Sequence, residues 1–383
     1  MKHESSKNKP RPLAGIRVLD FSIMIAGPYC TRHLSDLGAE VIKVESPDAD
    51  YLRSREPIRD GQSTYYGQIN CGKRSIMLDL KKPDDVITAR ELAASVDLVV
   101  ENFRPGVMKR IGLDYETLKS SNDRLIYCSI SGFGQNGPSA TRAAYAQIVQ
   151  AASGYDLTML QYQPGLAQPL NSNLFIADVL ASVYALSATL AAIHMRTSTG
   201  SGQHIDLSLM DTMMTVFPYE FQEAQFPASE QRQLYQPVRT SDGFMILCPN
   251  TQNNFESLCK AVGKPEWIKD ARFSASEQRV LNWSTLMTLV EQWTVDHSSA
   301  ECEATFTNHG IPASAYRSVR DAIADPQFQY RSSFSEVKDS SGPFLVPNLP
   351  YQFSGATVSA LDFVQSHGQD TANVFREFGI DPN

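Results

Sequence analysis

The chain has 383 residues, a length that favours two domains over one, and 42% hydrophobic with 20% charged residues is an ordinary globular composition. Its net charge of −8 argues against a general nucleic-acid binder, because phosphate affinity needs an excess of Lys and Arg. With 22 Gly and 21 Pro, collagen-like and low-complexity readings are excluded as well.

The opening MKHESSKNKPRP is polar and holds no apolar run, so no signal peptide is expected. The cysteines, Cys30, Cys71, Cys128, Cys248, Cys259 and Cys302, contain no CxxC pair and read as buried thiols in a reducing, cytoplasmic setting. The seven histidines form neither HxH nor HExxH, so no metal is expected. IRVLDF (16–21) reads as a buried strand. A helix over 28–37 follows, with Pro28 in its first turn and Gly38 closing it, and then the strand EVIKVE (40–45). Strand, short helix, strand is a βαβ unit with a parallel pair. The pattern returns at RSIMLDL (74–80), a helix opened by Pro83 and Asp84, DLVVE (97–101) and RLIYCSI (124–130). Buried strands alternating with helices predict a doubly wound α/β sheet.

Ligands of such sheets bind beyond the carboxyl ends of the strands. Two of those ends carry grouped basic residues, Lys81–Lys82 and Arg104–Lys109–Arg110, while GxGxxG and GxxxxGK[ST] are absent. A loop such as ENFRPG, with Arg nearby, suits a phosphate or diphosphate.

Leu174 to Met195 is apolar enough to suggest a membrane span, but its side chains are small and Asp178 lies inside it. A carboxylate facing lipid is expensive, so the segment is expected to be a buried central helix and no membrane partner is expected. Asn171, Ser172 and Asn173 offer N-caps, which would set Asp178 within the first turn and a half. Past the turn TSTGSGQ (197–203), HIDLSL and a Met-rich stretch lead to the proline-bounded, linker-like segment Pro227–Pro237. A turn at 241–243 followed by a strand, and helices near 253–262, 284–295 and 300–309, predict a smaller α+β domain. The Pro-punctuated stretch 343–353 suits a crossing arm, and Thr371–Phe378 a final helix.

Five motifs in this order, PLAGIRVLDFSIMIAGP, LGAEVIKVESP, GKRSIMLDLK, VENFRPGVMKRIGLDYETL and SGFGQNGP, closely resemble those of the family III CoA-transferases. TLAAIHMRTSTGSGQHIDLSLMD, HGIPASAYRSVRDAIADPQF and GQDTANVFREFGI extend the resemblance from Pro12 to Ile380. It implies a Rossmann-like large domain (12–225, completed by an arm at 336–383), a smaller α+β domain inserted at 226–335, and an interlocked homodimer. It implies further an enzyme that moves CoA from an acyl-CoA to a carboxylic acid with no resident cofactor. Asp178 falls at the family's catalytic aspartate, which forms an acyl anhydride and then an aspartyl-CoA thioester. Ile25, Ala26, Leu80, Lys81, Asn102, Phe103, Arg104, Arg110 and Tyr145 fall at CoA-contacting positions.

The chain departs from the family pattern at Ala146, where an acidic residue is usual, at Ser182 in place of Gly, and at Ser46 in place of a basic residue. The glycine-rich flap before Ser241 is also missing. These departures argue against oxalate or formate as substrate. Three alternatives share the fold: an acyl-CoA isomerase, an α-methylacyl-CoA racemase and a non-catalytic partner subunit. The racemase needs a second acid/base group, for which His194 and His204 are the nearest histidines, and the partner subunit would have lost the aspartate.

Overall fold

The computed structural model describes residues 9–229 and 235–380, so Met1–Asn8 and part of the 227–237 segment lie outside it. The chain divides into two compact units, one formed by residues up to 221 with those from 327 onward, the other by 222–326.

In the first unit, β1 (Arg17–Asp20), α1 (Ala26–Asp36), β2 (Glu40–Glu45), β3 (Arg74–Met77), α2 (Pro83–Ala94), β4 (Leu98–Glu101), β5 (Ile126–Ser131), α3 (Ile176–Thr199) and β6 (His204–Ser208) build a mixed α/β layer structure. The sheet runs β3-β2-β1-β4-β5-β6 with every pair parallel. This is the doubly wound order in which the strand sequence reverses between β1 and β4, opening a crevice at their carboxyl ends. β6 is a strand that the sequence reading left unassigned. Its exposed His204 and Asp206 interrupt the apolar run that marks the inner strands, as an edge position allows.

Strand side chains alternate between two cores, because successive residues point to opposite faces. Val18, Val41, Leu98, Val100 and Ile126 pack with Ala26, Leu34, Ala177, Ala181 and Ala185 of α1 and α3. Leu19, Ile42, Ile76, Val99 and Tyr127 pack with Ala89 and Leu92 of α2 and with Val374 and Phe375 of the last helix, Thr371–Phe378. That helix is tied to β3 by Ser75 N donating to Asp370 Oδ2 (2.9 Å) and Asp370 N to Ser75 O (2.8 Å). The expected arm at 343–353 is corrected in part. Gly342–Pro347 is a strand paired antiparallel with Phe334–Asp339, its exposed edge tolerating both prolines.

Two expectations about α3 are also corrected. The helix buries one face only, through Ala177, Ala181, Ala185, Thr189, Ala192 and Arg196, and leaves Val179 and Val183 more than 40% exposed. By length and composition it meets the requirement for crossing a membrane; in the chain it lies on the sheet, with Arg196 ion-paired to Asp97 at 2.8 Å. Its N-cap is Phe175, without a side-chain cap, and Ser172 Oγ accepts from Leu174 N instead. Helix onset is set by packing of Phe175 and Ala177 rather than by a polar cap.

The second unit carries a three-stranded antiparallel sheet, Val238–Arg239, Phe244–Leu247 and Ala313–Ala315. Helices Gln252–Ala261, Trp283–Thr294 and Ser299–Asn308 cover it around Phe255, Leu258, Met287 and Phe306. Ser298 and Glu301 form a capping box at the start of the third helix, satisfying two backbone N–H groups reciprocally.

Candidate functional site

At the carboxyl end of β1 the chain leaves the sheet through Phe21–Ile25 and enters α1. Asp20, fully buried, accepts from Ser22 N (2.9 Å), from Ser22 Oγ, from Thr31 Oγ1 (2.6 Å) and from Lys73 Nζ (3.0 Å). Burial works to raise its carboxyl, but Lys73, Lys43 and the two hydroxyls outweigh that and hold it below the usual range. At the carboxyl end of β4, Asn102 reaches across the crevice. Ile23 N donates to its Oδ1 (2.9 Å) and its Nδ2 donates to Ile23 O (2.8 Å). Met24 follows with φ +64°, a left-handed conformation that costs a side-chain-bearing residue about 1–2 kcal/mol. Gly27 completes the turn: a Cβ there would lie 2.2 Å from Ser22 Cβ.

This loop delivers Ile25 and Ala26, both buried, to α3. Ala26 shares a core with Ala177, and Ile25 packs in a small cluster with Tyr66 and Ile69 that Met24, Tyr29, Tyr65 and Phe175 border. Asp178, the third residue of α3, sits beside this apolar and aromatic lining. Position near a helix N-terminus favours the anion by about 0.3–1 kcal/mol. Burial wins nonetheless, and the Asp178 carboxyl is pushed up to about 6. Tyr65 is the neighbouring hydroxyl: burial first, and then the charge of Asp178, raise its phenol above the ordinary value.

The remaining residues singled out from the sequence spread along the same sheet edge. Leu80 is half-buried against the second core, while Lys81 is exposed, its N–H donating to Asp79 Oδ1 (3.1 Å). Phe103 is half-buried in that core, and its N–H donates to Glu101 Oε2 (2.9 Å). Burial pushes Glu101 up to about 7. Arg104 and Arg110 are exposed and join no ion pair among the described residues; the Arg110 guanidinium lies over the Gly106 turn. Tyr145 is 67% exposed at the start of helix Ala146–Ala152, which packs on α3. The structure thus brings Ile25 and Ala26 up to the helix turn that carries Asp178, pins Ile23 just before them through Asn102, and leaves Lys81, Arg104 and Arg110 in solvent.

The histidines considered for proton transfer lie elsewhere. His194 is sixteen residues further along α3, about 24 Å at the helical rise per residue. His204 begins β6, at the sheet edge opposite the strand ends, where Ser129 Oγ and its Nε2 are 3.0 Å apart.

Residues 13–371 match the model of CoA-transferase family III. The chain belongs to that family.

A succinate–glutarate CoA-transferase of Agrobacterium fabrum is 34% identical to this chain, over 88% of it and 87% of the relative. A formyl-CoA:oxalate CoA-transferase of Shigella sonnei is 30% identical, over 96% of each. A solved structure of a CaiB/BaiF family protein from Brucella suis superposes with TM-score 0.86 at 33% identity, covering 97% of this chain and all of that one. This family III chain is therefore a CoA-transferase whose substrates are CoA thioesters and carboxylates.

Three residues that shape the site escaped the sequence reading. Tyr65 lies in a short helix, Thr64–Asn70, capped by Ser63 Oγ accepting from Tyr66 N (3.1 Å), and no motif marks it. Lys43 and Lys73 sit in or beside apolar strands, where an uninterrupted charge is the one available signal, since Lys is almost never fully buried without a partner.

Proposed function

We propose that Asp178 is the nucleophile through which this transferase moves CoA. The carboxylate attacks the thioester carbonyl of the donor, the C–S bond breaks, and a mixed aspartyl–acyl anhydride forms with release of CoA thiolate. The thiolate attacks the aspartyl carbonyl of the anhydride, which expels the donor's carboxylate and leaves an aspartyl-CoA thioester. The acceptor carboxylate attacks that thioester to give a second anhydride and thiolate again. Attack of the thiolate on the acceptor's carbonyl completes the new acyl-CoA and regenerates Asp178. No proton is gained or lost.

The observation that carries this reading is Asp178 in the first turn of α3, close to Tyr65 at the border of the Ile25 cluster, with its carboxyl raised by burial alone. A poorly solvated carboxylate held against its electrophile gains both nucleophilicity and effective concentration. The unpaired first-turn N–H groups of α1, whose N-cap Ile25 supplies no side-chain acceptor, are oriented dipoles for the oxyanions. Ile25 and Ala26 then line the thioester end of CoA, with Leu80, Lys81, Asn102, Phe103, Arg104, Arg110 and Tyr145 along its length. The apolar face that α3 leaves uncovered, Val179 and Val183, supports an interlocked homodimer in which a second copy covers it, and in which the 222–326 unit serves as the inserted domain.

His194 lies about 24 Å along α3 from Asp178, which argues against it as the second base that racemisation requires. The deciding experiment is to incubate the protein with donor acyl-CoA without acceptor, and add hydroxylamine or borohydride. A hydroxamate or reduced side chain at Asp178, located by peptide mass spectrometry, is the expected result. Exchange of the substrate's α-hydrogen with deuterated solvent, without an adduct, would replace transfer by proton abstraction.

A further inference from the structure

Two lysines are buried under the loop that precedes and opens α1, and each donates one hydrogen bond to its main chain. Lys43, on β2 and 1% exposed, donates from Nζ to Ser22 O (2.8 Å) and pairs with Asp50 (3.0 Å). Lys73, 2% exposed just before β3, donates to Pro28 O (2.8 Å), Asn70 Oδ1 (2.7 Å) and Asp20 Oδ2 (3.0 Å). The ammonium groups thus grip the two ends of residues 22–28, and the Asn102 amide holds Ile23 between them. Asp20 links the grips, since it accepts from Lys73 and from Ser22.

A structural role alone does not account for this arrangement. Buried ion pairs contribute little net stability, and apolar replacements of similar volume are often equal or better. Of the main-chain carbonyls in the loop and the first turn, those of Ser22 and Pro28 are the two that receive a buried ammonium donor. The conformation they enclose is strained, with Met24 at φ +64°, and a strained residue persists only where its surroundings over-determine it. What the strained turn does is seat Ile25 in the cluster that Phe175 and Tyr65 border, Tyr65 being the hydroxyl next to Asp178.

We propose that Lys43 and Lys73, acting through Ser22, Pro28 and Asp20, are positioning residues for CoA transfer that hold the 22–28 segment in register with Asp178. Neither side chain touches the reacting atoms. Their contribution is the fixed separation between the start of α1 and the first turn of α3. The inference rests on Asp178 being the nucleophile.

Two variants separate positioning from stability. Lys73→Met leaves Asp20 buried and without its ammonium partner, and is expected to lower both Tm and kcat. Asp20→Asn with Lys73→Met removes both charges together, which restores most of the Tm by eliminating the orphaned carboxylate. Restored stability without restored grip leaves the double variant about 100-fold slower than wild type in adduct formation on donor acyl-CoA, as expected for a misplacement of about 1 Å. Its KM for the donor stays near the wild-type value. Recovery of kcat together with Tm would overturn the proposal.

Should the double variant fail to fold, Lys43→Met with Asp50→Asn decides, since it removes the ammonium on Ser22 O together with its ion-pair partner. A clear fall in kcat at unchanged KM supports positioning, and wild-type kcat refutes it. If the wild type itself yields no adduct at Asp178, it is the nucleophile assignment that fails. Steady-state transfer by the same variants then reports on the lysines separately.

Discussion

Asn102 and Ile23 exchange two hydrogen bonds, Ile23 N to Asn102 Oδ1 at 2.9 Å and Asn102 Nδ2 to Ile23 O at 2.8 Å, across the junction where the sheet reverses its strand order. The carboxyl ends of β1 and β4 are thereby stitched together at the point where a doubly wound sheet takes its ligand. An asparagine that the family resemblance implies as a CoA contact is, in the folded chain, first a brace for the loop that meets Asp178.

Asn102→Ala removes both bonds and leaves the Ile23 amide and carbonyl to solvent. The expected loss is about 1–2 kcal/mol of stability, with a larger fall in kcat than in affinity for the donor. Urea unfolding and initial-rate kinetics on the same preparation measure the two effects. A variant with wild-type kcat would show that the brace is dispensable.

Gly27 is required by a close approach rather than by its backbone angle. The alanine methyl would overlap Ser22 Cβ at 2.2 Å, and Ser22 is fastened to Asp20 and Lys43 and has no room to yield. Gly27→Ala is expected to cost about 1–3 kcal/mol, the range for overpacking a tight site. It should lower Tm and transfer more strongly than an alanine at Gly355, where φ is outside the left-handed region and nothing crowds an added Cβ. Thermal melts of the two variants test the contrast.

Burial raises Asp178 from the ordinary 3.8 to about 6, so the folded chain binds this proton more tightly than the unfolded chain does. The cost of the buried anion is absent below about pH 4, grows between pH 4 and 6, and is fully present above. Asp178→Asn should therefore stabilise the fold at pH 8 by about 2 kcal/mol, after allowance for partial exposure, and leave it unchanged at pH 4. The same variant should lose transfer. In the wild type, the rate of adduct formation should fall as pH drops through 6, because the protonated acid is no nucleophile. A pH-independent stability difference would contradict the burial of the charge.

Tyr65 keeps its proton, since burial and the Asp178 anion both raise its phenol. It therefore keeps an O–H to donate near Asp178, the proposed nucleophile. Tyr65→Phe should lower kcat by about 100-fold, the lower end for a lost transition-state donor, and change the donor KM little. A raised donor KM with unchanged kcat would assign the hydroxyl to ground-state binding.

Arg110 is exposed and joins no ion pair among the described residues, so a phosphate meets it without displacing a partner. Arg110→Ala is expected to raise the KM for the CoA donor by about tenfold, to leave the acceptor KM unchanged, and to weaken the salt dependence of donor binding. An unaltered donor KM would remove Arg110 from the CoA site.

Local pattern was enough for much of this protein. Buried apolar runs announced β1, β2 and β4, and amphipathic spacing announced Thr371–Phe378. A lone carboxylate in a small-residue helix marked Asp178, because each of these signals lies within a few consecutive residues. Tertiary structure decided the rest. The start of α3 at Ile176 depends on Phe175 packing rather than on the polar caps just before it, and the uncovered face of the helix follows from which neighbours the sheet supplies. The placement of His204 at the far sheet edge, the Asn102 brace and the two lysines under the loop join residues tens of positions apart. A hydrogen bond between Asn102 and Ile23, or an ammonium of Lys73 on the carbonyl of Pro28, exists only once the strands are in order. No periodicity encodes it, because the bond is set by chain crossing and not by neighbours in sequence.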